Sequence, residues 1–155
     1  GLYVLQHYEQ PIQLRIVLVK PVLENLIDLC TYIRTNLPFV NEVALIGCEP
    51  IGFALANKEL SQVDIKDWWD QLNAAVDLLL NTKTRLVLMN IPLCCLPQSL
   101  WQYAAKSISD WKNTYDDVCN TCEIKVDCCG LFSWYKSGWV PSTLSPIKLV
   151  DIMST

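Results

Sequence analysis

Glu42-Val43-Ala44-Leu45-Ile46-Gly47-Cys48-Glu49-Pro50 is the stretch whose reading decides the fold. Its apolar run is unbroken rather than alternating, as a strand covered on both faces requires, and Gly47 and Pro50 forbid simple continuation. Toward the N-terminus, Leu14-Arg15-Ile16-Val17-Leu18-Val19 carries the same signature and predicts another buried parallel strand. Between them, Leu23, Leu26, Ile27, Cys30, Ile33 and Leu37 recur at three-and-four spacing before Pro38, which predicts a helix of about four turns.

The same alternation continues beyond Pro50. Ile51 to Gln62 reads as a loop or short helical excursion. Asp64 is a good N-cap, and Trp68, Trp69, Leu72, Ala75, Val76 and Leu79 follow at helical spacing to an end near Asn81-Thr82. Arg85-Leu86-Val87-Leu88-Met89 is a third strand, followed by Asn90-Ile91-Pro92-Leu93-Cys94-Cys95 and a helix expected to start with Pro97 in its first turn. Three successive strand–helix units predict an α/β fold with a parallel sheet and right-handed crossovers. Leu2 to Tyr8 reads as the tail of a helix begun earlier, running into Gln10-Pro11. From about Ser107 periodicity is lost and the chain becomes an irregular, Cys-rich C-terminal segment, so two regions are expected, 1–106 and 107–155.

Composition narrows the function classes. With 52% apolar and 18% charged residues, the chain has the makings of a core. Its apolar runs are interrupted before the roughly 18 residues of a membrane span, so no membrane association is expected. A net charge of −4 without a basic block argues against nucleic acid, whose phosphates require clustered Lys and Arg. Gly1 to Gln10 shows no secretory signal pattern. Eight cysteines beside six tryptophans in an alternating α/β chain fit reduced thiols with metal or cluster duty, and a cytoplasmic location, better than disulfide staples.

The sharpest local signal is Cys119-Asn-Thr-Cys122-Glu-Ile-Lys-Val-Asp-Cys128, a C-x2-C-x5-C spacing. Two thiolates three residues apart grip one inorganic centre across a tight turn, and zinc or an iron–sulfur cluster normally takes four protein ligands. Cys129 adjoins Cys128, and consecutive side chains rarely point at one centre. The fourth donor is therefore sought at Cys94 or Cys95, and Cys94 is the choice. Structural zinc and independent buried thiols are the competing readings. Cys30, on an apolar helix face, reads as core filler, and Cys48, in a strand-end loop, also reads as packing.

Several blocks together carry a resemblance: Asn36-Leu37-Pro38-Phe39-Val40, Val43 through Ala54, Asn90-Ile91-Pro92-Leu93-Cys94, Ser107-Ile108-Ser109-Asp110-Trp111-Lys112-Asn113, and the spaced cysteines with Gly130-Leu131-Phe132. In this order they resemble the radical S-adenosylmethionine (radical SAM) maturases of the His-Xaa-Ser peptide-modification system, the HxsC type. The resemblance runs from the first strand to about Phe132. It implies the C-terminal half of a partial (β/α)6 barrel, carrying three βα units, and then an auxiliary [4Fe-4S] segment. In the family, a reduced [4Fe-4S] cluster on a C-x3-C-x2-C loop cleaves S-adenosylmethionine to a 5′-deoxyadenosyl radical, which abstracts hydrogen from a ribosomally made peptide. No C-x3-C-x2-C occurs among these eight cysteines, so the chain alone is expected to be inactive. S-adenosylmethionine, a second [4Fe-4S] cluster, the peptide and the partner proteins of the maturation system are expected of an intact parent. The related SPASM motif continues to a cysteine four positions beyond, where Phe132 stands here, which leaves one auxiliary cluster, on Cys94, Cys119, Cys122 and Cys128.

Strand C-terminal ends face the active site in such barrels, which singles out Lys20, Glu49 and Asn90 as contacts for S-adenosylmethionine or peptide. The competing reading is that they satisfy loop amides. Lys112 reads as a solvated lysine or as a cation tuning the cluster. Trp111, Tyr115, Trp134 and Tyr135 either shield the cluster or simply pack. His7, the one histidine, is expected to be exposed, and no His-dependent triad is supported. A rival function is a zinc-stabilised, non-catalytic interaction module. If the half-barrel stands alone, its first strand exposes an edge, and a homodimer through that edge is expected.

Overall fold

The computed structural model describes residues 1–80, 83–106, 113–131 and 138–152. Strands β1 (Gln13–Leu18), β2 (Glu42–Gly47), β3 (Arg85–Met89) and β4 (Ala104–Ala105) form one sheet in the order β1-β2-β3-β4, parallel throughout. Helix α1 (Leu2–His7) precedes it and leaves His7 exposed. Helices α2 (Lys20–Glu24) and α3 (Leu26–Asn36) connect β1 to β2; α4 (Phe53–Ala56), α5 (Lys58–Ser61) and α6 (Trp69–Leu80) lie between β2 and β3. No helix of the described residues is long and apolar enough to cross a membrane.

The core lies on one face of this sheet. Leu18, Val43, Leu45, Leu86 and Leu88 pack against Leu26, Cys30 and Ile33 of α3 and Leu72, Ala75, Val76 and Leu79 of α6. On the opposite face, Ala44, Ile46, Val87 and Met89 form a second buried cluster, with Ala105 packed on it. The central strand β2 is thus covered on both sides, as its unbroken apolar run requires. At the N-terminal end of the sheet, Glu42 accepts from the Gln13 side chain and pairs with Arg85 at 3.2 Å, in register across three strands.

Local expectations fare unevenly. Asp64 caps as predicted, accepting from the Lys66 amide at 3.2 Å, but the element it opens is a 3-10 turn, Ile65–Trp68, that runs into α6. The single helix expected across Leu23 to Leu37 is broken at Asn25, whose side-chain amide donates to the Pro21 carbonyl at 2.9 Å and competes with the helical ladder. Strand β1 is not buried on both faces: it is an edge strand, and Gln13, Arg15 and Val17 are exposed. After Pro97 the chain forms a 3-10 helix, Gln98–Tyr103, instead of an α-helix, and then pairs as β4. A 3-10 helix rises about 2.0 Å per residue against 1.5 Å, which lets a short segment reach back to the sheet. The expected helix end at Asn81-Thr82 lies outside the described residues.

A methyl group on Gly47 would fall inside contact distance of the Asn90 carbonyl oxygen and 3.1 Å from Ile91 Cγ1. Backbone would have to move to admit it. Gly47→Ala is expected to lower stability by about 1–3 kcal/mol, read as a lower urea midpoint at unchanged slope. A midpoint equal to that of the wild type would mean that the β2–β3 junction is looser than this geometry.

Candidate thiolate site

Beyond β3, Pro92 opens a 3-10 turn, Leu93–Cys95, closed by the Cys95 amide on the Pro92 carbonyl at 2.9 Å. Two indoles pin it. Trp69, at the start of α6, donates to the Cys95 carbonyl at 2.9 Å, and Trp101 donates to Leu93 at 2.9 Å and Leu96 at 3.2 Å. The turn directs the half-buried Cys94 and the buried Cys95 to different surroundings.

Cys119 lies in another 3-10 turn, Asp117–Thr121, which Cys122 closes at its C-terminal end and the Asp116 side chain caps on the Val118 amide at 3.1 Å. Residues three apart eclipse in such a turn, so Cys119 and Cys122 share one side. A further 3-10 turn, Lys125–Asp127, delivers Cys128, whose carbonyl accepts from the Tyr115 hydroxyl at 2.9 Å. Gly130 follows at φ +67°, packed against the Thr114 carbonyl and the Tyr115 ring so closely that no Cβ fits. Thr114 and Leu131 close the loop with mutual backbone hydrogen bonds of 2.8 and 2.6 Å.

Cys94, Cys119, Cys122 and Cys128 line one small cavity of about 20 Å³, together with Tyr115, Ile124, Leu144 and Ile147. Leu144 and Ile147 belong to a C-terminal strap. Its first end is tied by Gln62 to the Gly138 carbonyl at 3.2 Å and by the Ser142 amide to Asp64 at 2.9 Å. The other end is held by Glu123, whose amide donates to Ile147 at 3.0 Å and whose carboxylate accepts from the Leu149 amide at 2.7 Å. Lys125 covers the Tyr115 ring, its Nζ 4.9 Å from the centroid.

Backbone amides point at these sulfurs. Leu93 and Gly130 each donate to Cys128 Sγ at 3.4 Å, and Ile147 donates to Cys122 Sγ at 3.4 Å. Cys128 is brought down to about 6, chiefly by the hydrogen bond from the Cys129 thiol, then by those two amides and the Lys106 charge, against burial. Cys94 is brought down to about 7 chiefly by the Cys95 thiol, 4.0 Å away, with burial opposing and the Ser145 amide assisting. Cys95 and Cys129 shift the other way because they donate those bonds and are buried, so they hold their protons. Cys119 is raised by burial and by the neighbouring sulfurs, with an Asp116 backbone hydrogen bond opposing. Cys30 is fully buried and pushed up to about 11 by that burial, and Cys48 is raised by burial and by the Glu49 charge. All eight cysteines are free thiols.

The donor set is chemically right for a cationic, thiophilic centre: four thiols, two of them poised to ionise near neutral pH, with amides to hold the thiolate charge. Among the described residues, however, no three His, Cys, Asp or Glu side chains stand as a ready metal-binding group. A single ion would need the thiols to swing inward. The cavity admits about one water-sized body, so a four-iron cluster would need them to swing outward.

Beside this cavity, at the C-terminal ends of β2 and β3, lies a cleft of about 410 Å³, and Pro92, Gly130 and Leu131 line both. Asn90 lines the cleft, holds φ +60° and donates to Glu49 Oε1 at 3.1 Å. Of the residues expected to bind a cofactor, Asn90 and Glu49 are thus in contact, whereas Lys20 is exposed at the start of α2 and lines neither space. Tyr115 is at the site; Trp111, Lys112, Phe132, Trp134 and Tyr135 lie outside the described residues. The strap residues Ser145 and Ile147 were not foreseen, because nothing in their residue type marks an amide that donates to sulfur.

No family model matches this sequence, and neither the curated proteins nor the solved structures contain a match to it.

Folded values below the ordinary thiol value of 9.0 mean that ionised Cys94 and Cys128 stabilise the folded chain above pH 9. That contribution fades as pH falls through about 7 for Cys94 and about 6 for Cys128. In chelator-treated, reduced protein, ultraviolet thiolate absorbance is expected to rise in a near-neutral step that the Cys94→Ser/Cys128→Ser variant loses. A rise confined to the ordinary thiol range would sink this assignment.

Proposed function

We propose that Cys94, Cys119, Cys122 and Cys128 hold an auxiliary [4Fe-4S] cluster, and that the chain is the C-terminal portion of a radical SAM enzyme that modifies a ribosomally made peptide. The observation that carries this reading is that four thiols from two separate segments border one cavity, beside a cleft at the strand ends. The enzyme class rests on the resemblance of the sequence blocks to the His-Xaa-Ser system maturases alone.

Strand order and helix placement favour the partial (β/α)6 barrel. The order never reverses, and α3 and α6 share one face, whereas a doubly wound sheet reverses and carries helices on both. The C-terminal ends of barrel strands are where substrates bind. There Asn90 lines the cleft, is held by its bond to Glu49, and orients S-adenosylmethionine or the peptide. Tyr115, Leu144 and Ile147 keep water from the thiolates, and the Trp69 and Trp101 indoles keep Cys94 in place. When bound, the cluster supplies a one-electron store.

The small cavity favours a second reading, a zinc-stabilised interaction module, because one ion displaces less volume than a cuboidal cluster. Metal and sulfide analysis of anaerobically purified protein separates the two. The cluster reading expects a brown protein with about four iron and four sulfide per chain, both lost in Cys122→Ser. Colourless protein with about one zinc and no sulfide would overturn it.

A further inference from the structure

One strap covers both spaces. Trp139, Val140 and Pro141 line the cleft, whereas Leu144, Ser145 and Ile147 line the thiol cavity. Among the described residues, 138–149 pair with no strand of the sheet, and none of them is buried. Their position therefore rests largely on polar ties. On the cleft side the Gln62 side chain donates to the Gly138 carbonyl at 3.2 Å, and the Asp64 carboxylate accepts from the Ser142 amide at 2.9 Å. On the cavity side the Glu123 carboxylate accepts from the Leu149 amide at 2.7 Å, and Lys148 Nζ donates to the Thr121 carbonyl at 2.7 Å. All four bonds are exposed, where water replaces a lost partner at little net cost. The buried Trp139 indole N–H finds no partner among the described residues, which further weakens the closed position.

We propose that residues 138–149 are a gate that opens as one piece, so that the ties on the cleft side govern access to the thiols and those on the cavity side govern access to the cleft. The two linings are closely joined, since the Leu144 amide donates to the Pro141 carbonyl at 3.1 Å. Releasing Ser142, which lies between them, from Asp64 therefore frees Leu144 as well. Segments with little apolar burial and exposed hydrogen bonds are the first to open in a folded protein. The thiol cavity admits about one water-sized body, so a larger reagent reaches its sulfurs when the strap is lifted. A molecule seated in the cleft against Trp139 and Pro141 accordingly sets how readily the thiols are reached. The gate works in the same way whether the thiols carry iron, zinc or no metal.

Alkylation of chelator-treated, reduced protein by iodoacetamide, followed cysteine by cysteine with peptide mass spectrometry, measures the opening. A thiol behind a gate reacts at its free rate scaled by the fraction of time that the gate stands open. Gln62→Ala and Asp64→Asn each cut one cleft-side tie; asparagine still caps the turn at Ile65, but its NH2 group cannot accept from the Ser142 amide. Both variants are expected to speed labelling of Cys94, Cys122 and Cys128 by roughly three- to tenfold. Cys30, fully buried in the core, is expected to keep its rate. Glu123→Ala, which cuts a tie at the other end, is expected to speed Cys48, which lines the cleft. Cavity rates unmoved in both cleft-side variants, or a Cys48 rate unmoved in Glu123→Ala, would mean that the two spaces open separately, and the proposal fails. It fails equally if Cys30 speeds up as much as the other thiols in every variant, because the chain then opens globally. Metal content does not enter this readout, so the cluster reading stands or falls separately.

Discussion

Two indole N–H groups hold the turn on which the thiol site depends. Trp69 and Trp101 donate to the carbonyls of Cys95, Leu93 and Leu96, and of these the Leu93 carbonyl also accepts from the Leu96 amide within the turn at 3.1 Å. Each such bond contributes about 1 kcal/mol net, but a buried carbonyl left without one costs about 1–3 kcal/mol. The indoles come from opposite sides in sequence, one on α6 and one on the 3-10 helix before β4. The orientation of Cys94 is thereby tied to the packing of α6 on the sheet, where Leu72, Ala75, Val76 and Leu79 are buried.

The paired cysteines follow from that constraint. In Cys94-Cys95 and in Cys128-Cys129, one sulfur borders the cavity while the other is buried beside it. Within each pair the cavity-lining sulfur is driven toward thiolate while its buried neighbour keeps its proton, and Cys129 Sγ also donates to the Gly130 carbonyl at 3.3 Å. A Cys-Cys dipeptide thus supplies both a candidate ligand and the hydrogen bond that helps it ionise, which spacing alone does not reveal.

Where the chain's own periodicity governs, the reading from residues comes close to the structure. The unbroken run Val43-Ala44-Leu45-Ile46 lies in the central strand, Asp64 caps, and the three-residue step from Cys119 to Cys122 is one eclipsed turn. The departures arise where a distant partner outweighs local pattern. Leu14 to Val19 resembles the central strand in composition but lies at the edge, because neighbours on the sheet decide coverage. Asn25 breaks a helix whose apolar spacing continues through it, and Lys20 follows a strand yet does not line the cleft.

By itself, the sequence determined that strands and helices alternate into a parallel α/β sheet and that cysteines gather after the third strand. Both are properties of spacing and side-chain chemistry along the chain. Only the tertiary structure set Cys94 and Cys128, already chosen from the sequence over Cys95 and Cys129, around one cavity with Cys119 and Cys122 and brought the amides of Ser145 and Ile147 to meet them. Those positions depend on where two indoles, a tyrosine hydroxyl and a C-terminal strap arrive in space, and separation along the chain carries no information about that.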